Sequence, residues 1–290
     1  MISIGQMIGM ILAIVIPVMT GIILFLHLRK ELKVKGLLFT ACYGIVGYIW
    51  QAWIYVMVYG WVGAMIMQSS WFETGIGDVV KQMIIAACYA LLTAGGLYWA
   101  VYLANMRESR VERGISVGLG FGLAYSVWNY ILVYGAPLII GFQLWFGSYA
   151  GSEETKQRVL GLSTGNMYLF LLECILFMLI LTATTLVMGQ YHQQVSRLKM
   201  FGIAFISQFL IKFLNTLLPT ILPDAVSMVV YHVLMISAAL YSLWIIMSYL
   251  KTKQVNYLPD KPVGVKAGSK KKGKNTSTAN FTYAGNKKKK

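Results

Sequence analysis

Residues 167–188 read MYLFLLECILFMLILTATTLVM, an apolar run of 22 residues that contains one charged side chain, that of Glu173. A helix needs about 20 apolar residues to cross the hydrocarbon core of a bilayer, so this run predicts a transmembrane helix. Six similar stretches flank it, and the full set of predicted spans is 2–28, 37–67, 82–104, 115–140, 167–188, 200–222 and 225–249. The sequence therefore predicts an all-α, polytopic membrane helix bundle of about seven transmembrane helices.

The composition agrees with a membrane protein. Of the 290 residues, 58% are hydrophobic and 12% are charged, whereas a soluble globular domain is about 25% charged. The net charge of +15 is concentrated in residues 251–290, which hold 12 Lys and one acidic residue, Asp260. These figures exclude a soluble enzyme and a wholly disordered chain. Because most of the positive charge lies in the tail of a membrane protein, it does not indicate a nucleic-acid-binding domain, and we expect no nucleic-acid partner.

The distribution of Lys and Arg between the spans predicts the orientation of the chain. The segments after the first, third, fifth and seventh predicted spans carry 21 of these residues, and the other connections carry three. Cytoplasmic loops are enriched in Lys and Arg, so the N-terminus is expected outside and the C-terminus inside (N-out/C-in). We expect a multipass protein of the cell (plasma) membrane, and the compact loops suggest a bacterial one.

The predicted domains are a transmembrane helical domain, residues 1–250, and a Lys-rich cytoplasmic tail, residues 251–290. The tail is too polar to bury a core and is predicted to be disordered. The simplest interpretation is that the tail is solvated and that its positive charges only fix the orientation of the chain in the membrane. The alternative is contact with anionic lipid at the membrane surface.

Three ionisable residues lie inside the predicted spans: Glu173, Lys212 and His232. A charge at membrane depth costs at least about 2.5–3.5 kcal/mol, so each needs a partner or a purpose. The three fall at similar depth in the outer half of three consecutive spans, and a buried Glu173–Lys212 pair with His232 nearby is plausible. The residues could form an ion pair that locks the helices together, or a functional polar site. The third alternative is that they are unpaired and extend their charged ends towards the interface.

Catalytic motifs are sparse. Gly75-Ile-Gly-Asp78 matches the GxGD string of intramembrane aspartyl proteases, but the second membrane aspartate that such chemistry requires is missing. No HExxH or EExxR sequence occurs, so we expect neither a metal nor another cofactor. Gly118-x-Gly120-x-Gly122 lacks a phosphate-loop context and favours close helix packing.

The layout of residues 1–250 resembles the YhfC-type family of putative intramembrane metalloproteases, which is distantly similar to CAAX-processing enzymes. The resemblance rests on the order and spacing of short segments rather than on one motif. These segments are Met1-Ile-Ser-Ile, Leu28-Arg-Lys, Gly118-Leu-Gly-Phe-Gly-Leu and Leu172-Glu173. It implies a helical membrane protease with a metal and a general base.

The chain departs from that family at the residues that would do the chemistry. The family's paired acids, arginine, histidine and second glutamate align here with Thr93, Ala94, Leu97, Phe121 and Tyr125. Such side chains do not hold zinc tightly or activate water for hydrolysis. Glu173 alone is retained, and a later family histidine aligns near Lys212. We therefore expect a degenerate site in which the Lys212 cation satisfies Glu173.

The resemblance and its departures together predict a pseudoenzyme. It would act as a binding or scaffold protein that holds a membrane protein or peptide partner in a cavity between the third and sixth spans. One alternative is an active intramembrane peptidase, with unrecognised ligands or with Asp78. The other is a small transporter or permease subunit that uses the Glu173–Lys212 pair.

Overall fold

The computed structural model describes residues 2–32, 36–68, 70–73, 75–106, 110–193 and 196–256. Within these ranges the chain is helical and contains no strand. The α-helices are α1 (Ile4–Leu32), α2 (Leu37–Met67), α3 (Gly75–Ala104), α4 (Val111–Tyr130), α5 (Ala136–Trp145), α6 (Glu153–Leu160), α7 (Thr164–Gln193), α8 (Arg197–Ile221) and α9 (Asp224–Asn256).

Seven helical segments of the described chain are long and apolar enough to cross a membrane, which confirms the predicted all-α class and the number of spans. The fourth span is composite, because α4 continues through a π-helical turn, Ile131–Gly135, into α5. Pro137 near the start of α5 has no backbone N–H and would crowd the carbonyl group four residues earlier in a regular α-helix. A wider turn just before it relieves that crowding.

Several spans extend beyond their predicted bounds, and α3 shows why. It begins at Gly75, seven residues before the predicted start at residue 82. Its first turns contain the Asp78–Lys81 ion pair and are too polar for an apolar window to include. A negatively charged side chain near a helix N-terminus interacts favourably with the helix dipole. This interaction stabilises the first turns of α3, which lie beyond the hydrocarbon core.

The bundle is built around α7, the most buried of the spans. Helix α4 packs between α7 and α2, and α3 packs between α2 and α8. Glycines allow these close approaches: a Cβ on Gly118 would lie 2.6 Å from the Cα of Thr182 on α7, and a Cβ on Gly120 would lie 2.8 Å from the carbonyl carbon of Ala41 on α2. The predicted packing role of the glycines therefore holds on two opposite faces of α4.

The 141–166 connection, expected to be large enough for a small structured loop, contains the short helix α6. The Ser152 hydroxyl caps its first turn by accepting from the Thr155 backbone N–H. Hydrogen bonds from Lys156 and Gln157 to Glu153 lower the pKa of that carboxyl below its usual value.

At the C-terminus, α9 continues to Asn256, six residues beyond the predicted end of the transmembrane domain. The predicted tail and its contact with anionic lipid concern mainly residues 257–290, which lie outside the described residues.

Candidate functional site

A cavity of about 220 Å³ lies at membrane depth in the centre of the bundle and is lined by six of the seven spans. We call it the central cavity. Its polar lining combines two charged side chains, three amides and five phenol groups: Glu173, Lys212, Gln51, Asn129, Asn215, Tyr48, Tyr55, Tyr89, Tyr125 and Tyr231. It involves α2 and α9 in addition to the third to sixth spans in which a cavity was expected. This concentration of polar groups inside an apolar bundle makes it the candidate functional site.

Glu173 lines the central cavity from α7. It lies nine residues after the start of the helix, which is about 14 Å along the axis. The Tyr231 hydroxyl on α9 donates a hydrogen bond to its Oε1 atom over 3.2 Å. Among the described residues the Tyr231 hydroxyl is its one hydrogen-bond donor, and the carboxyl group faces the open space of the cavity.

Lys212 lines the same cavity from α8, nine residues before the end of that helix. Its Nζ atom lies 5.4 Å from the centroid of the Tyr89 ring, within the range of a cation–π contact. Among the ion pairs within the described residues, none with an N–O distance of 4.0 Å or less joins Lys212 to Glu173. The two charges therefore share a cavity and interact through space without a direct salt bridge.

His232 lies beside the cavity rather than in its lining. Its Nδ1 atom is 2.8 Å from the carbonyl oxygen of Met228, one turn earlier on α9. A carbonyl oxygen only accepts, so Nδ1 is the donor; the buried Nε2 atom has no hydrogen-bond partner among the described residues. The neighbouring residue Tyr231, and not His232, makes the contact with Glu173.

The five positions at which the sequence predicted a degenerate catalytic site divide into two groups. Thr93, Ala94 and Leu97 on α3 are fully buried, and the Thr93 hydroxyl donates to the backbone oxygen of Tyr89 over 2.8 Å. Phe121 is buried against Tyr48, with ring centroids 5.2 Å apart. These four residues are part of the packed core.

Tyr125, the fifth of these positions, lines the central cavity together with Glu173. Its ring lies 4.2 Å from that of Phe177 on α7, which fixes it against the same helix as Glu173. The structure thus brings Tyr125, Glu173 and Lys212 to one place.

Sequence reasoning missed Gln51, Tyr89, Asn129, Asn215 and Tyr231, all of which line the cavity. The amides among them carried a usable signal, because an amide inside an apolar span needs a partner. Gln51 is buried, and its Oε1 atom has no hydrogen-bond partner within the described ranges. The tyrosines carried no such signal, because the chain contains 18 of them.

The other catalytic hypothesis involved Asp78. This residue lies in the first turn of α3, where it forms an ion pair with Lys81. It is not part of the central cavity. In the part of the chain that the structure describes, no group of three or more His, Cys, Asp or Glu side chains is arranged to hold a metal ion.

A second cavity, of about 340 Å³, lies near the opposite end of the α3–α8 interface, and Tyr98, Tyr102, Arg197 and Met200 are among its lining residues. Gln208 of α8 lies between the two cavities, one helical turn before Lys212 on the same face. It is fully buried, and neither polar atom of its amide has a partner among the residues described.

Comparisons of the chain with known protein families, curated proteins and solved structures found no match. The seven apolar helices and the polar cavity define the class of protein: a multipass α-helical membrane protein with a charged intramembrane cavity.

Proposed function

We propose that this chain is a non-enzymatic membrane protein that binds a small group carrying both a positive and a negative charge in the central cavity. One observation carries the proposal: Glu173 and Lys212 line the same cavity without a direct salt bridge. Among the described residues, Glu173 accepts one hydrogen bond, from a phenol hydroxyl, and Lys212 contacts one tyrosine ring.

The physical argument concerns uncompensated charge. A charge at membrane depth costs at least a few kcal/mol unless it is paired. A ligand with an ammonium group and an acidic group can pair with Glu173 and Lys212 at the same time. The amides that line the cavity supply further hydrogen bonds. One of them is Gln51, whose Oε1 atom has no hydrogen-bond partner within the described ranges.

The cavity volume limits the size of that ligand. A volume of about 220 Å³ is smaller than the roughly 300–1,000 Å³ of pockets that hold drug-sized ligands. A whole transmembrane helix is about 10–12 Å across and does not fit. The volume favours a small zwitterion, or one charged end or side chain of a membrane peptide or protein partner.

The proposal keeps the resemblance to the YhfC-type family and treats the chain as a pseudoenzyme on that scaffold. Support comes from Thr93, Ala94, Leu97 and Phe121, which are packed core residues at the positions of the family's metal and base groups. The polar groups collect instead around Glu173.

Thermal unfolding of the purified protein in phosphatidylglycerol nanodiscs tests this function, with phosphoethanolamine as the probe. A ligand that binds the folded state alone stabilises it by about 2.7 kcal/mol at 100 times its dissociation constant. We expect phosphoethanolamine to raise the unfolding temperature of the wild type, and ethylamine or methyl phosphate, which each carry charge of one sign only, to raise it much less.

The matched variants are Glu173→Gln in the cavity and Glu153→Gln in the exposed helix α6. The first should lose the shift and the second should keep it. No shift in the wild type, or an equal shift in Glu173→Gln, would contradict the proposed function.

A carrier is the second candidate, and the second cavity is the observation that favours it. The two cavities lie at different depths along the α3–α8 interface. Between them is the Gln208 amide, which has no hydrogen-bond partner in the described part of the chain. A transported solute could pass from one cavity to the other by way of Gln208. Uptake of labelled phosphoethanolamine into proteoliposomes, absent in Glu173→Gln, would distinguish a carrier from a binding protein.

For the cellular setting we propose a bacterial plasma membrane, with the N-terminus outside and the Lys-rich tail in the cytoplasm, in contact with anionic lipid. The support is the positive-inside pattern. Described basic residues at the proposed cytoplasmic face include Arg29, Lys30, Arg110, Arg113 and Arg197.

A further inference from the structure

An apolar groove of about 360 Å³ runs along the lipid-facing surface of α1, α2 and α4 and ends at the π-helical turn. Its walls include Ile22 of α1, Ile45 and Ile49 of α2, and Val127 of α4. These side chains are exposed on the surface of the bundle, where a bilayer places acyl chains against them.

The groove adjoins the central cavity. Tyr48 and Trp128 line both, so these two side chains form the boundary between the charged space and the apolar one. On the cavity side, Val56 and Leu132 are more than 60% exposed, which leaves the cavity open laterally between α2 and the fourth span.

We propose that the ligand of the central cavity is a single-chain amphiphile, whose zwitterionic head lies between Glu173 and Lys212 and whose hydrocarbon chain lies in the groove. This inference rests on the proposed function, because it takes the binding of a zwitterionic head as given. It adds the chemical class of the ligand, and it adds the apolar groove as the part of the site that binds the hydrocarbon chain.

Three observations point to a chain as the occupant of the groove. The groove lining is almost wholly apolar, and it faces the part of the membrane where hydrocarbon is the medium. The groove meets the charged cavity at Tyr48 and Trp128, so a molecule that fills both must change from charged to apolar at that point. The cavity volume accepts a small head only, which fits a lysolipid-like molecule.

The test uses lysophosphatidylethanolamine with a photoreactive diazirine in its chain, added to the full-length protein in phosphatidylglycerol nanodiscs. The matrix lipid has no ammonium group and therefore does not mimic the head. After irradiation, peptide mapping should find the label concentrated in 18–22, 45–49 and 123–131, and excess unlabelled lysophosphatidylethanolamine should displace it. A monoacylglycerol with the same photoreactive chain should bind at least about tenfold more weakly, because each hydrogen bond to a charged group is worth roughly that factor or more.

Two phenylalanine variants separate the groove from general lipid exposure. Ile49→Phe places a ring in the groove and should reduce its labelling by about threefold or more, because the ring occupies space that the hydrocarbon chain would take. Leu240→Phe adds the same ring to the lipid-facing surface of α9, away from the groove, and should change nothing. Both variants meet the same probe in the same membrane, so its partition into the bilayer is equal and a difference in labelling reports on the groove itself.

The two proposals fail in different ways. Label spread evenly over all lipid-facing helices, or equal labelling by the monoacylglycerol, would overturn the proposal that the ligand is a zwitterionic amphiphile. If phosphoethanolamine still stabilised the wild type and not Glu173→Gln, the proposed function would stand although the amphiphile proposal had failed. If phosphoethanolamine failed to stabilise the wild type, both proposals would fall.

Discussion

At the scale of single residues, Glu173 and Lys212 are each supported by a tyrosine from another helix. The Tyr231 hydroxyl donates to Glu173, and the Tyr89 ring lies beside the Lys212 ammonium group. Opposite charges in one low-dielectric cavity still attract without touching. Removing one of them therefore leaves the other with less compensation than it had.

Lys212→Met should destabilise the protein by about 1–3 kcal/mol, because it leaves Glu173 as an uncompensated charge at membrane depth. The double variant Lys212→Met/Glu173→Gln should be more stable than the single Lys212→Met variant. Thermal unfolding in nanodiscs measures both. Additive losses in the double variant would show that the two charges do not interact.

Gln208→Leu should stabilise the protein by about 1–2 kcal/mol, because it keeps a similar volume and removes a buried amide that has no hydrogen-bond partner among the described residues. Gln190, an exposed residue on α7, is the matched control, and Gln190→Leu should have little effect. If Gln208→Leu lowered the unfolding temperature, the amide would have a partner that matters, and the carrier hypothesis would gain support.

The sequence indicates Glu173 and Lys212 because charges inside apolar spans are rare. It does not indicate which aromatic residue accompanies them. Tyr231 and His232 are neighbours on α9, but successive residues of a helix point about 100° apart, so only Tyr231 faces Glu173. That rotation depends on packing, which the sequence pattern alone does not reveal.

At the scale of the helices, glycines set the distance between α2, α4 and α7. Gly118 and Gly122 are one turn apart and face α7, and Gly120 points the other way, towards α2. On α2, Gly44 opposes α4: a Cβ there would overlap the Val117 carbonyl oxygen and lie 2.7 Å from the Phe121 nitrogen. The sequence predicts close packing from such glycines but not which helix each one meets.

Gly44→Ala should destabilise the protein by about 1–3 kcal/mol, because the added methyl group meets backbone atoms that cannot move independently. Gly60→Ala, on the same helix, is the control, since no described atom lies within 4 Å of a Cβ there. It should be neutral or stabilising by up to about 1 kcal/mol through helix propensity. Equal effects of the two changes would contradict the close approach of α2 and α4.

At the scale of the whole molecule, the number of spans follows from the sequence, and their arrangement does not. Lipid-facing and buried surfaces of these helices are both apolar, so the pattern along a span carries little information about which face meets which neighbour. The cavity was expected between the third and sixth spans, and it also includes α2 and α9. Gln51 and Tyr231 enter the site for this reason.

The proposed orientation has a direct test. A fluorescent protein fused after residue 290 should fluoresce in cells, and alkaline phosphatase inserted after Gly151, between α5 and α6, should be active. Such reporters respond to opposite sides of a bacterial plasma membrane. Inactive phosphatase at Gly151, with active phosphatase at the C-terminus, would reverse the topology.

The central claim is that a polar, accessible cavity with Glu173 and Lys212 in its lining exists at membrane depth. Labelling of single cysteines with a small charged methanethiosulfonate tests it most directly, in a background in which Cys42, Cys88 and Cys174 are replaced. Ala52 and Ala94 are both buried in the bundle, but Ala52 lines the cavity and Ala94 does not. We predict rapid modification of Ala52→Cys, slowed by phosphoethanolamine, and no modification of Ala94→Cys; equal resistance of both cysteines to the reagent would contradict the account.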